Sequence, residues 1–336
     1  MKMLMFDFRE TEKEFFENND LVDFDLSFIG EPLNADFKLT EEQKNETDII
    51  SVFRSSNLTD KVLEQFKNLR IISTRSYGYS HIDLDYCIEH NIAVLNVEQY
   101  GEEAVAQYAI ALIIVLVRNM LPAILDMKDH KINYKHYEGK KLNSLTLGII
   151  GCGQIGTAVA KIANFLGMRI LIHSYMQNPE LDSFCDFVSL DELLQESDVI
   201  SLHLLYTGDN YHLIGAEEFA KMKDGVCFVN TARGELLDIK ALYDNLVTGK
   251  VKAAALDVLE CEFLSTHPGE LTNVINDSTS HCVEMALVTQ KLFNMDNVII
   301  TPHIAYNTHE SVNFLLTKTF NNIRDYIKGV NSNRVC

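Results

Sequence analysis

The chain has 336 residues, 47% of them hydrophobic, with 48 Asp and Glu against 29 Lys and Arg for a formal charge of -19. That length is enough for two cores, and the charge repels a phosphate backbone or an anionic leaflet, which argues against nucleic acid and membrane surfaces as partners. Seven cysteines, an odd number with no CxxC pair, point to reduced thiols rather than a disulfide framework, and with that to a cytoplasmic protein.

The opening MKMLMFDFRE reaches acidic residues by Asp7 and reads as a first strand rather than a secretory signal. Short β-branched runs then alternate with amphipathic segments. DIISVF (48–53), RIISTRS and IAVLNV (92–97) are predicted strands, and DKVLEQFKNL and IDLDYCIEHN predicted helices. This alternation describes a small α/β domain with a doubly wound parallel sheet. A helix from Glu102 to about Asn119 follows, apolar on nearly every face. Its run AIALIIVLV (109–117) is too short for a bilayer, which needs roughly 20 residues, and so predicts a helix covered all round, by a hinge, a subunit interface or interdomain burial.

From Leu145 the alternation restarts. LTLGII is a strand, GCGQIG a glycine-rich turn, QIGTAVAKIANFL a helix ended by Gly167, and RILIHS a strand. Ser189 caps a helix in SLDELLQES, and DVISLHL, VCFVN, KAAALD and NVIIT are further strands separated by EEFAKM and IKALYDNLVTG as helices. The stretch 263–296 is the least regular, a long connection with some helix of its own. Its His267, His281 and Cys282 fit no zinc spacing, so no metal is expected.

Ligands of open parallel sheets sit beyond the carboxyl ends of the strands. That singles out Gly151, Gly153 and Gly156, Ser174, His203, Thr231, Arg233, Asp257 and His303. A GxGxxG turn between a strand and a helix lets backbone amides approach a pyrophosphate, which reads as dinucleotide binding. Arg233, Glu262 and His303 suit hydride transfer to a 2-oxo acid. The guanidinium grips the carboxylate and polarises the ketone, the imidazolium protonates the developing alkoxide, and the carboxylate orients that ring and favours its charged form.

Together GIIGCGQIG, VNTARGELLD (229–238), AALDVLECE (254–262) and TPHIAY (301–306) resemble the motif set of the D-2-hydroxyacid dehydrogenases, especially their D-lactate dehydrogenase branch. The likeness extends over most of the chain, and RSYGYSHIDL (75–84) resembles the family's substrate-domain loop. It implies two doubly wound α/β domains: a discontinuous, smaller, flavodoxin-like substrate domain of residues 1–99 with 304–336, and a Rossmann-like NAD(P)-binding domain of 100–303, with a cleft that closes on substrate. It places the catalytic roles at Arg233, Glu262 rather than Glu260, and His303. It implies substrate contacts from the backbone amides of Tyr77 and Gly78 and from Tyr100, and the aromatic residues Phe53 and Tyr306 join that set. The cofactor set becomes Gly151, Gly153, Gln154, Ile155, Gly156, Ser174, His203, Thr231, Ala232 and Asp257. A homodimer joined partly through the long helix is also implied.

Ser174 stands where such folds usually carry an acid that bonds the adenosine ribose and repels the extra phosphate of NADP. No cation lies in Tyr175–Asn178 to hold that phosphate. Both NAD and NADP are therefore expected to serve, with NAD favoured by the family. The expected reaction is NAD(P)H-dependent reduction of pyruvate to the D-hydroxy acid. Branched or aromatic 2-oxo acids are the alternative substrates, and an NADH-sensing corepressor-type binding protein is the alternative of another class.

Overall fold

Each predicted β-branched run carries apolar residues at consecutive positions, and strands of that kind are stable only when both faces of the sheet are covered. The computed structural model describes residues 1–79, 81–98, 100–132, 134–267, 269, 281–330 and 333–336. Two compact units result: Met1–Gly101 with Asn307–Cys336, and Glu102–Tyr306.

In the first unit β1 (Lys2–Met5), β2 (Asp25–Phe28), β3 (Ile49–Val52), β4 (Ile71–Thr74) and β5 (Ala93–Leu95) form a parallel sheet of order β2-β1-β3-β4-β5. One face buries Leu4, Ile50, Ile72 and Val94, and the other buries Met3, Ile49 and Ile71 beneath Leu316, Phe320 and Ile323. Those last three belong to the helix His309–Ile327, which the Thr308 hydroxyl caps by accepting from Ser311 N–H at 3.2 Å. The expected helix over 60–69 is regular only at Asp60–Leu63. Beyond it the Lys67 N–H donates to the Lys44 carbonyl at 2.9 Å, a partner outside the helix, so the ladder stops.

The second unit holds β6 (Thr146–Ile150), β7 (Arg169–His173), β8 (Asp186–Phe187), β9 (Val199–Leu202), β10 (Val226–Asn230), β11 (Val251–Leu256) and β12 (Val298–Ile300) in the order β12-β11-β10-β9-β6-β7-β8, every pair parallel. Both units are thus doubly wound α/β. The apolar helix Glu102–Val117 buries Ala106, Ala109, Ile113 and Leu116 on the second unit's own sheet, among Leu147, Ile149, Val229 and Ala255. Among the described residues no single helix is long and apolar enough to cross a membrane, and the next helix, Met120–Lys128, is bent by 70° from it.

One expectation is corrected. Cys261 and Cys282 are joined by a disulfide with Cα atoms 5.4 Å apart, and the other five cysteines are thiols. The 21-residue separation carries no pairing signal. The pair meets because the short helix Glu262–Thr266 packs on His281–Leu292, where Gln290 Nε2 donates to the Ser265 carbonyl at 2.8 Å.

Candidate active site

Chain travel reverses between β6 and β9, and an open sheet of this kind offers its crevice there. Gly151 leaves β6 at φ +101°, and a Cβ on it would lie 2.5 Å from the His203 carbonyl oxygen. Gly156 has no room for a Cβ either, because the Gly151 carbonyl occupies the place. Nothing lies within 4 Å of a Cβ on Gly153, which precedes the helix Gln154–Phe165. The first-turn amides of that helix, those of Gln154 and Ile155 among them, have no carbonyl a turn back to accept them and suit an anion. Ser174, just after β7, accepts from the N–H groups of Cys152 at 3.4 Å and Met176 at 3.3 Å.

At the ends of β9 and β10 two polar atoms, His203 Nδ1 and the Thr231 hydroxyl, are buried with no hydrogen-bond partner among the described residues. His203 Nε2 pairs with the Ser201 hydroxyl at 2.8 Å, and burial pushes the ring's pKa down to about 3, so it is neutral. Ala232 N–H donates to Asn230 Oδ1 at 2.9 Å, fixing the turn into Arg233. A glycine cradle, open helix amides and two orphaned polar groups along one sheet edge fit a dinucleotide.

Of the three proposed catalytic side chains, two are in direct contact. His303 Nδ1 lies 2.9 Å from Glu262 Oε2, with the side chains 17% and 37% exposed. His303 holds a left-handed backbone, φ +54°, after β12. That loop is set by Asp257 at the end of β11, a carboxylate only 1% exposed. Its Oδ1 accepts from the Thr301 hydroxyl at 2.5 Å and Ile304 N–H at 2.9 Å, and its Oδ2 from Ala305 N–H at 2.8 Å. Burial raises the Asp257 pKa although these bonds oppose it. Asp257, expected to line the cofactor site, thus holds the histidine loop with both oxygens.

Arg233 is half-buried in extended backbone, its Nη1 donating to the Ala232 carbonyl at 2.7 Å and its own carbonyl accepting from Asn230 Nδ2 at 2.8 Å. Gly234 packs so closely on the Leu259–Glu260 backbone that no side chain fits, which ties the arginine turn to the strand end that bears Glu262.

Sequence reasoning passed over Glu260 beyond noting its type. It is 7% exposed and accepts from Tyr211 Oη at 2.8 Å, His281 Nε2 at 2.7 Å and His212 Nε2 at 3.0 Å. Burial alone would raise its pKa, but the hydrogen bonds from His212, His281 and Tyr211 outweigh burial and pull it below the usual carboxylate range. The partners come from positions 48 to 49 and 21 residues away, so no local pattern announces them.

In the first unit the travel reversal falls between β1 and β3. Asp7, at φ +56°, accepts there from Phe53 N–H at 2.8 Å, the Ser55 hydroxyl at 2.6 Å and the Ser56 hydroxyl at 2.8 Å. Arg9 and Arg54 stand over the Phe53 ring at 5.4 and 5.1 Å. Arg75, also missed, is 3% exposed and donates to the carbonyls of Phe6 and Asp7 and to the Ser51 hydroxyl. Tyr77 is 38% exposed with its carbonyl accepting from Asn96, and the Gly78 carbonyl accepts from the Ser76 hydroxyl. Tyr100 is half-buried in this unit, whereas Tyr306 is buried in the second.

A doubly wound sheet with a glycine cradle at its switch point and an imidazole–carboxylate pair beyond β12 fits a nicotinamide-dependent type of oxidoreductase. Residues 110–305 match the model described as "D-isomer specific 2-hydroxyacid dehydrogenase, NAD binding domain". The chain is 34% identical to an aromatic 2-oxoacid reductase of Clostridium sporogenes over 86% of each chain, and 31% identical to the D-lactate dehydrogenase of Escherichia coli over 98% of each. The crystal structure of D-lactate dehydrogenase from Aquifex aeolicus, complexed with NAD and lactic acid, superposes with a TM-score of 0.81 at 34% identity, covering 99% of this chain and 98% of that one. The chain belongs to the D-isomer specific 2-hydroxyacid dehydrogenase family, on its D-lactate dehydrogenase branch.

Proposed function

We propose that the protein reduces 2-oxo acids to D-2-hydroxy acids, pyruvate first among them, using NADH or NADPH. The observation that carries this reading is the 2.9 Å contact between His303 Nδ1 and Glu262 Oε2 on a loop fixed by buried Asp257. When bound, the nicotinamide cofactor supplies the hydride to the ketone carbon. Arg233 grips the substrate carboxylate and polarises the ketone oxygen with its planar fork. Glu262 engages Nδ1, so His303 delivers the proton to the nascent alkoxide from Nε2 and takes it back in the reverse direction. Glu262 favours the imidazolium that starts the reduction.

The second unit is assigned to the cofactor through Gly151, Gly153, Gln154, Ile155, Gly156, Ser174, His203, Thr231, Ala232 and Asp257, and the first to the substrate through Phe53, Tyr77, Gly78 and Tyr100, with Tyr306. Ser174 neither repels nor grips a 2′-phosphate, so both cofactors serve, NADH being preferred on the family's pattern. The likeness to an aromatic 2-oxoacid reductase supports a second substrate class, aromatic or branched 2-oxo acids. The homodimer, expected partly through the long helix Glu102–Val117, is assigned instead to the next helix, Met120–Lys128, because the first buries its apolar residues on its own sheet while Met120, Ile124, Leu125 and Met127 are each 41% to 56% exposed.

The test is a panel of pyruvate, 2-oxoisocaproate and phenylpyruvate with each reduced cofactor, on the wild type and His303→Ala. We expect turnover that yields the D-acid and falls at least about a hundredfold in the variant with NADH binding retained. Tight NADH binding without turnover of any 2-oxo acid would overturn the reading in favour of a sensor.

A further inference from the structure

Three consecutive residues at the site are each anchored, the outer two by hydrogen bonds to histidines and the middle one by a covalent bond. Glu260 is gripped by Tyr211, His212 and His281, Cys261 is bonded to Cys282, and Glu262 pairs with His303. Two of these anchors, His281 and Cys282, are neighbours at the start of the helix His281–Leu292. That helix end therefore holds the segment preceding Glu262. Cys261 also sits in left-handed backbone, φ +50° and ψ +48°, which a residue with a Cβ adopts only when its surroundings enforce it.

We infer that Cys261 and Cys282 form a reversible redox modification site, exchanged by dithiols, whose oxidised state holds Glu262 against His303. In the exchange a dithiol thiolate attacks one sulfur of the pair, and its second thiol closes on the first. The products are two protein thiols and the cyclic disulfide of the reagent, so two electrons and two protons pass to the protein. Accessibility favours this pair. Cys261 and Cys282 are half-buried, as is the unbridged Cys336, whereas Cys87, Cys152, Cys185 and Cys227 are buried, and burial pushes the Cys87 and Cys185 thiols up to about 12. Once the bond opens, Cys261 loses its covalent constraint. The segment relaxes toward ordinary backbone, and Glu262, the next residue, loses its register on the imidazole.

The kinetic part of this inference rests on the function proposed above, so the test has arms that do not. Full-length protein is equilibrated with oxidised glutathione or with dithiothreitol, and its thiols are counted after unfolding. Five are expected in the first state and seven in the second. Amide exchange in the peptide 257–267 should quicken at least about fivefold on reduction, with 239–248 unchanged as an internal control. Turnover of the 2-oxo acid should fall at least about threefold with an unchanged Kd for NADH, because the cofactor cradle lies elsewhere on the sheet. Cys282→Ser should match the reduced enzyme and ignore dithiothreitol. Seven thiols in both states, or equal amide exchange in both, would overturn the inference, and so would a turnover indifferent to reduction. An oxidised protein inert toward every 2-oxo acid would sink the function instead, while thiol count and amide exchange still decide the redox site.

Discussion

Replacing Glu262 by Gln keeps the shape of the side chain and removes its charge, which isolates what the carboxylate does for His303. The contact is 2.9 Å between Nδ1 and Oε2, so the charge centres are about 4 Å apart, and Coulomb's law gives about 4 kcal/mol at an effective dielectric of 20 and about 1 kcal/mol in water. With Glu262 37% exposed and His303 17%, solvent screening places the pair near the lower end, about 1 to 2 kcal/mol, or about one pKa unit. The sign follows from the chemistry. Reduction needs the imidazolium, and losing the carboxylate lowers the pH at which that cation survives. The falling limb of kcat/KM for reduction should therefore move about one unit toward acid, and the rising limb for oxidation should move with it. The assay is the pH dependence of kcat/KM in both directions for wild type and variant. Limbs that stay within about 0.3 unit would refute the role of Glu262, even if the absolute rate fell.

Three further outcomes are expected. Ser174→Asp should raise the ratio of catalytic efficiency with NADH over NADPH at least about tenfold, since it restores a charge that repels the 2′-phosphate; steady-state kinetics with both cofactors reads this. Glu260→Gln should lower stability by about 1–3 kcal/mol at neutral pH, by loosening a buried hydrogen-bonded carboxylate. Because the native carboxyl is held below its usual range, its contribution is present above the unfolded value and lost as pH falls, so the gap measured by urea unfolding should close at pH below about 4. Ile124→Glu should shift the protein from the proposed dimer to monomer in sedimentation velocity, with the fold retained by circular dichroism.

Much of the fold is legible because its strands are buried on both faces and their apolar runs need no alternation to be noticed. The Ser189 cap and the glycines at 167 and 249 mark helix ends by local chemistry, and the structure uses them so. The edge strand β2, with the sequence DLSF and no buried position, offers no such run, and β8 is only two residues long. At the site, strand ends point to Arg233, Asp257 and His303 because topology converges there, and the motif likeness adds Glu262. What escaped were partnerships chosen by packing: the bonds by which Asp257 holds the histidine loop, Glu260 among three distant donors, Arg75 beneath Asp7, and the cysteine pair. Their chemistry is ordinary in one dimension and acquires meaning only when helices and loops bring the partners together.

The bridge from Asp257 to Thr301, Ile304 and Ala305 bears on how such chains diverge. β12 is a three-residue edge strand, a weak support for the proposed proton donor, but the histidine turn is clasped by the neighbouring strand's own terminus. The connection that joins the two strands carries Glu262 and the cysteine pair, yet the histidine turn takes its own anchorage from Asp257. A change of length there would reach the reacting pair through Glu262 alone, while the imidazole keeps its station.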